Sequence, residues 1–219
     1  MKALFITFEG PDGGGKTTQA NLLSKWMKER NITHILTKEP GTPYIEECKK
    51  IRELLLDPSH TLCPNTELFL FLADRAQHVE HLIRPKLEQG IHVIGDRYSS
   101  STICYQQARG ISRDKIQVFN DFATGCLVPD ITFLLDAPIE VGLERARSKS
   151  IYKNGDRMEK EDKYYHEVVR NNFLKLAESI AEQHRFQVID TTPPKTIEKT
   201  HKEITEIIAK KLWLKGEEI

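Results

Sequence analysis

The chain has no apolar run long enough to cross a bilayer. Its longest uninterrupted stretch, Leu68 to Ala73, falls far short of the roughly 20 residues a spanning helix needs. The apolar segment from Ala3 to Phe8 ends at Glu9 with no small-residue cleavage site after it, so a secretory leader is not expected. Charge of one sign is not in excess either. Lys plus Arg and Asp plus Glu each number 32, so no net field draws the protein to nucleic acid or to an anionic membrane, and neither is an expected partner. Any polyanion must be met by a local cluster of cations. Cysteine is sparse: Cys48, Cys63, Cys104 and Cys126 show no C-x-x-C spacing, which fits inert, reduced thiols in the cytoplasm better than a disulfide frame or a zinc site. No repeat, low-complexity tract or Pro/Ser/Gly-rich linker divides the 219 residues, so a single domain over 1–219 is expected.

What is present is an alternation of short β-rich runs with longer stretches of helical period, the pattern of a parallel sheet covered by helices. Strands are expected at Ala3 to Glu9, His34 to Lys38, Ile91 to Asp96, Ile131 to Asp136 and Phe186 to Asp190. Helices are expected near Lys16 to Arg30, Ile45 to Leu56, Glu67 to Gln89, Ser112 to Gly125, Glu140 to Ser148, Lys160 to Gln183 and Thr196 to Leu212. The fold class is α/β, and ligands in such sheets gather beyond the carboxyl ends of the strands.

Directly after the first strand stands Gly10-Pro11-Asp12-Gly13-Gly14-Gly15-Lys16-Thr17, followed by Thr18 at the opening of a helix. This is a complete G-x-x-x-x-G-K-[ST] pattern in strand, loop, helix context, and it points to a bound nucleoside triphosphate. Glycines let backbone N–H groups face a phosphate, Lys16 reaches its oxygens, and the Thr17 hydroxyl is placed to ligate Mg²⁺. The loop establishes a nucleotide site without choosing a reaction.

After the third strand come Asp96-Arg97-Tyr98-Ser99-Ser100-Ser101 and, further on, Tyr105-Gln106. A strand-end carboxylate can hold water of a Mg²⁺ shell, and the adjacent guanidinium can bind a second phosphate in two parallel hydrogen bonds. Phe71 and Arg75 are four apart on one helix face, so a ring and a guanidinium can serve one base, although Phe71 in its apolar surroundings also reads as core.

Together Gly10 to Thr18 and Asp96 to Gln106 resemble thymidylate kinase, the family that phosphorylates dTMP with ATP. The likeness extends over nearly the whole chain and takes in Glu39-Pro40-Gly41, Phe71 to Arg75, Asp136 and the basic run from Arg145. It implies a P-loop kinase fold, a five-stranded parallel sheet flanked by helices on both faces, with a short mobile lid at about 146–160. It also implies Mg²⁺ as cofactor, ATP and dTMP as partners, and a homodimer to which the apolar helix around Leu68 to Leu72 contributes. By similarity Phe71 stacks on thymine, Arg75 bonds its carbonyl edge, Pro40 lies near the methyl, Tyr105 lies beneath the sugar, and Ser101 and Gln106 approach the base. Asp12 and Arg97 serve the acceptor, and Thr191-Thr192-Pro193-Pro194 forms the adenine-side loop. The missing second glycine after Gly41, where the family has E-P-G-G-T, leaves that loop's shape open.

Some members place an arginine in the phosphate loop where this chain has Gly13, and others supply the cation from the lid. The second pattern makes Arg147 and Lys149 the expected catalytic cations beside Lys16 and Arg97, with Lys153 and Arg157 as rivals. No general base is required, because a nucleoside monophosphate with a second pKa near 6 is mostly a dianion at neutral pH. His78, Glu80 and His81 form an H-x-E-H cluster that reads as a polar helix face rather than a zinc site. Rival readings are a UMP or CMP kinase and a nucleotide-dependent switch; the guanine-reading N-K-x-D element of many switches is absent from the sequence.

Overall fold

The computed structural model describes residues 3–147, 155–179 and 181–213. The strands are β1 (Phe5–Glu9), β2 (His34–Lys38), β3 (His92–Asp96), β4 (Ile131–Asp136) and β5 (Phe186–Asp190). The helices are α1 (Lys16–Glu29), α2 (Glu46–Leu56), α3 (Pro64–His78), α4 (Arg84–Glu88), α5 (Ser99–Ala108), α6 (Arg113–Thr124), α7 (Ile139–Arg147), α8 (Lys163–Glu178) and α9 (Ile197–Trp213). All five strands are parallel in the order β2-β3-β1-β4-β5. Among the described residues no helix is long and apolar enough to cross a membrane.

Side chains alternate across the sheet with the two-residue period of a strand. In β4, Phe133 and Leu135 enter a core with Leu23 and Met27 of α1 and Ile204 and Ile208 of α9. Leu134 points to the opposite core, against Ile103 of α5 and Val169 and Phe173 of α8. Burial on both faces is why these strands read as near-continuous apolar runs. Since β2 and β3 lie to one side of β1 and β4 to the other, the chain reverses direction of travel at β1, and a crevice opens beyond its carboxyl end.

Three helical expectations change. The sequence pattern assigns nothing to residues 97–111, yet α5 lies there. Ser100 to Gln106 are all buried although Ser100, Ser101, Thr102 and Gln106 are polar, so no apolar stripe marks the buried face and the helical period is hidden. The expected helix at Glu67 to Gln89 is broken into α3, a π-helical turn at Val79–Ile83, and α4. Pro85 has no N–H to continue an α-helical ladder, and the wider turn just before it absorbs the mismatch. His78 does not sit on a polar face: it is buried, with Nδ1 at 2.9 Å from Glu39 and Nε2 at 2.7 Å from Thr37. Among the described residues no cluster of three potential metal ligands occurs.

Candidate active site

The carboxyl ends of β1, β2 and β3 are in register, with Phe8 beside Asp96 and Lys38 beside Asp96 on the other side. The residues that follow each strand therefore meet around one cleft of about 900 Å³, within the range of small-molecule sites.

One wall is the phosphate loop. Gly15 is the N-cap of α1 in the left-handed region, φ 100°, and no side chain caps the first turn. The uncapped N–H groups and the positive end of the helix are left for an anion. Gly13, φ 70°, lies so close to α7 that a Cβ there would stand 1.8 Å from the Gly142 carbonyl oxygen. Backbone packing thus explains why this loop carries no arginine at position 13. Lys16 is buried, and its Nζ donates to the carbonyls of Gly10 at 3.0 Å and Pro11 at 2.7 Å. Burial, with the Arg97 charge adding to it, pushes the Lys16 ammonium down to about 8 against the pull of Asp12, Asp96 and Glu9. Thr17 Oγ1 donates to Asp96 Oδ2 at 2.5 Å.

The opposite wall begins at Arg97, whose φ of 74° is unusual for a non-glycine residue. Its strained backbone is held because Arg97 N–H donates to the Phe8 carbonyl at 2.9 Å, while the buried Glu9 carboxylate accepts from Tyr98 N–H at 2.9 Å and Ser101 N–H at 3.2 Å. Glu9 thereby caps α5 from another strand. Burial raises its pKa, more than the Ser101 hydroxyl and the Arg97 and Arg75 charges lower it. The Arg97 guanidinium donates to Gly10 O at 3.1 Å, Ser101 Oγ at 2.9 Å, Tyr105 Oη at 3.2 Å and the Asp12 carboxylate. Burial opposes its charge, but Tyr105, Asp12, Asp96 and Glu9 outweigh that and raise its pKa. Asp12 also accepts from Tyr105 Oη at 3.0 Å; burial would raise its pKa, yet Arg97, Lys16 and His166 hold it below the ordinary carboxylate value. Lys16 and Arg97 thus converge on the same turn of the loop from two sides.

At the far end lie the base-side expectations. Phe71 is half-buried; it packs against the core and also lines the cleft. Tyr105 and Gln106 are buried cleft residues, and Gln106 Oε1 has no hydrogen-bond partner. Pro40 is buried, and its carbonyl accepts from Arg52 at 2.7 Å, while Gly41 N–H donates to Asp74 at 2.9 Å. Ser101 does not stand free for a base: its hydroxyl donates to Glu9 at 2.6 Å and accepts from Arg97. Arg75 also lines the cleft, with its side chain held by the fold. All three of its nitrogens are engaged, by Glu39 at 2.9 Å, by Thr102 at 2.7 Å and Asn120 at 2.8 Å, and by the Tyr98 carbonyl at 2.9 Å.

Of the cations expected on a lid, Arg145 lines the cleft, and Arg147 is the last residue of α7, following the cleft-lining Ala146. Lys149 and Lys153 lie outside the described residues. Arg157 is committed elsewhere, donating to the Leu55 carbonyl at 2.7 Å and to Glu67 at 2.5 Å. On the other flank, Thr191 donates to Gly14 O at 3.2 Å, tying the Thr191-Thr192-Pro193-Pro194 loop to the phosphate loop. Sequence reasoning missed Glu67 and Gly142. Glu67 precedes Phe71 by four residues and shares its helix face, the one signal that pointed to it; Gly142 gave none.

A family model described as Thymidylate kinase matches residues 8–204. A thymidylate kinase of Carboxydothermus hydrogenoformans is 47% identical over 191 residues, 87% of this chain and 90% of that protein. One of Thermosipho africanus is 43% identical over 210 residues, 95% of this chain and 99% of that protein. The crystal structure of a thymidylate kinase from Ehrlichia chaffeensis superposes with a TM-score of 0.76 at 32% identity, covering 95% of this chain and 100% of that one.

Proposed function

Because the chain belongs to the thymidylate kinase family, and so transfers the γ-phosphoryl of ATP to dTMP to give ADP and the dTTP precursor dTDP, we propose that the transfer runs between Lys16 and Arg97. The observation that carries this assignment is that both cations share the Gly10 carbonyl, at 3.0 Å from Lys16 and 3.1 Å from Arg97. A donor phosphate on the α1 N-terminus and an acceptor phosphate on Arg97 are then brought end to end. Asp12 holds Arg97 and Tyr105 in register, and Lys16 leaves two carbonyls for the stronger charge of a phosphate.

The dTMP dianion needs no base, so catalysis consists of holding two anions in line and balancing the charge that develops. The residues present fit Mg²⁺: Thr17 offers a hard hydroxyl oxygen at the loop, and Asp96, which accepts from that hydroxyl at 2.5 Å, would orient it and hold a water of the shell. When bound, Mg²⁺ supplies charge neutralisation on the phosphates. Arg147, with Lys149 and Lys153 as alternatives, completes the clamp from the segment at about 146–160. Phe71 and Tyr105 serve the base and sugar. The unpartnered Gln106 Oε1 accepts from the N3–H of thymine, and Pro40 walls the site near the base; the adenine side is formed by the Thr191-Thr192-Pro193-Pro194 loop.

We further propose that the enzyme works in the cytoplasm as a homodimer, with neither nucleic acid nor membrane as partner. Leu68 and Leu72 are buried within the fold, so the surface available to a second copy is made by Phe69, Val118, Phe119 and Phe122, the last 90% exposed. Phe69 and Phe119 meet edge to face at 5.6 Å between α3 and α6. A contiguous apolar patch of this kind is typical of an interface.

The test is ADP release with dTMP, dUMP, UMP and dCMP as acceptors, with and without Mg²⁺, in the wild type and in Arg97→Ala. Turnover should favour dTMP and require Mg²⁺, and Arg97→Ala should lower kcat/KM for dTMP by about 100-fold or more while the KM for ATP changes little. An undiminished kcat/KM for dTMP in that variant would remove Arg97 from the acceptor site.

A further inference from the structure

Glu67 is buried on α3, one helical turn before Phe71, and is absent from every role described so far. Its carboxylate is the hub of a four-residue network. Oε1 accepts from Gln106 Nε2 at 2.8 Å and from Arg109 Nε at 3.2 Å. Oε2 accepts from Arg157 at 2.5 Å and from Arg109 at 3.3 Å. Arg109 is itself fixed, by Glu161 at 2.8 Å and by the Tyr165 ring beneath its guanidinium at 4.5 Å.

A carboxylate that already accepts from two guanidinium groups offers the amide only acceptor oxygens. The amide of Gln106 therefore has one orientation beside it: the NH₂ must face Glu67, and the carbonyl must face away. The carbonyl is the atom that is buried and unpartnered, on a residue that lines the cleft. An unmet buried acceptor is costly, of the order of a lost hydrogen bond, and a ligand donor seated against Gln106 would relieve it.

We propose that Glu67 is a positioning residue for pyrimidine specificity. By locking the Gln106 amide with its carbonyl toward the base, it makes the cleft accept a ring whose N3 carries hydrogen, as in thymine and uracil, and reject cytosine, whose N3 is a lone pair that would face the carbonyl oxygen. The inference rests on the reading of Gln106 as a base-side residue and deepens it by naming what sets the amide's direction. Selectivity here comes from a repulsive element, two acceptors facing each other, as much as from an attractive one.

The informative variant is Glu67→Gln, which keeps the size and gains a donor. Arg109 and Arg157 compete for the one oxygen the substituted side chain retains, so its new NH₂ turns to Gln106, and the Gln106 amide inverts to present its own NH₂ to the base. The expected result is that kcat/KM for dTMP falls by about tenfold or more while that for dCMP does not fall, so the preference for dTMP over dCMP shrinks by at least the same factor. An equal fall for both substrates, with the preference intact, would show a merely structural role and overturn the proposal. Gln106→Ala, measured alongside, separates the premise from the inference. If it raises the KM for dTMP, the base-side reading stands whatever Glu67→Gln does; if it does not, that reading falls first and the proposal with it. A second measurement requires no Glu67 variant to fold. In wild-type protein, the Gln106 side-chain ¹H–¹⁵N pair, assigned by its loss in Gln106→Ala, should keep its hydrogen-bonded shifts when dTMP binds, because the NH₂ stays on Glu67. Shifts that move to a new bonding state on dTMP binding, as an NH₂ turned toward the base produces, overturn the assignment.

Discussion

Gly142 in α7 offers a way to disturb transition-state geometry without touching any group that contacts a substrate. A Cβ built on Gly142 stands 2.4 Å from the Asp12 carbonyl oxygen, where ordinary contact begins at 3.4 Å, so Gly142→Ala must part α7 from the phosphate loop by roughly 1 Å. Overpacking of this kind costs about 1–3 kcal/mol, while alanine in place of glycine within a helix returns about 1 kcal/mol. The net loss is therefore about 0–2 kcal/mol, a fall in Tm of no more than about 8 °C for a chain of this size. The effect on chemistry is larger. Asp12 orients Arg97 and Tyr105, and Arg145 of α7 lines the cleft, so the shift displaces groups on both sides of it. A misplacement of about 1 Å can cost about 100-fold. Steady-state ADP release at saturating ATP and dTMP, together with a thermal melt, reads both quantities. We expect kcat to drop by about 30- to 100-fold with Tm changed by only a few degrees. A kcat within about threefold of wild type would refute the reasoning, since the contact would then not set the alignment.

Further predictions concern charged groups. Lys16 has its pKa depressed to about 8 in the fold, so kcat/KM for ATP should decline toward tenfold per pH unit above about pH 8 as the free enzyme loses that charge; a profile flat to pH 9.5 contradicts it. The same depression means the unfolded chain holds the Lys16 proton more tightly, so this residue penalises the fold below about pH 8 and the penalty lifts as pH rises toward its unfolded value near 10.4. Arg75→Ala should act first on stability: it strips the buried Glu39 of its arginine, a loss of about 3–5 kcal/mol, and Tm should fall by at least about 6 °C. Unchanged Tm with a raised KM for dTMP would return Arg75 to a purely base-reading role. In an alanine scan of Arg147, Lys149 and Lys153, at least one variant should lower kcat tenfold or more, whereas Arg157→Ala should chiefly lower Tm; if none of the three lowers kcat, the clamp is not supplied from this segment.

Legibility in the sequence tracked how local each cause was. The five strands were legible because burial on both sheet faces makes compact apolar runs, and the phosphate loop because Gly10, Gly15 and Lys16 answer a need met within eight consecutive residues. The helix α5 was invisible for the opposite reason: its buried face is built largely of polar residues whose partners lie in other segments, so apolar spacing does not mark it. His78 was placed on a polar face and proved to be buried and tied to Glu39, which also holds Arg75 from 36 residues away. Spacing along one helix cannot register a partner that arrives from another strand.

The sequence by itself determined the layered α/β architecture and the glycine-rich G-x-x-x-x-G-K-[ST] loop that turns from the first strand into a helix, because each depends on side-chain period or on backbone freedom within a short segment. Only the tertiary structure decided that Gly13 is barred from being an arginine by the backbone of α7, that Glu9 caps a helix begun 90 residues later, and that Glu67 sets the direction of an amide on α5. These follow from sterics and hydrogen-bond satisfaction between segments far apart in the chain, which exist only once the sheet has brought their ends together.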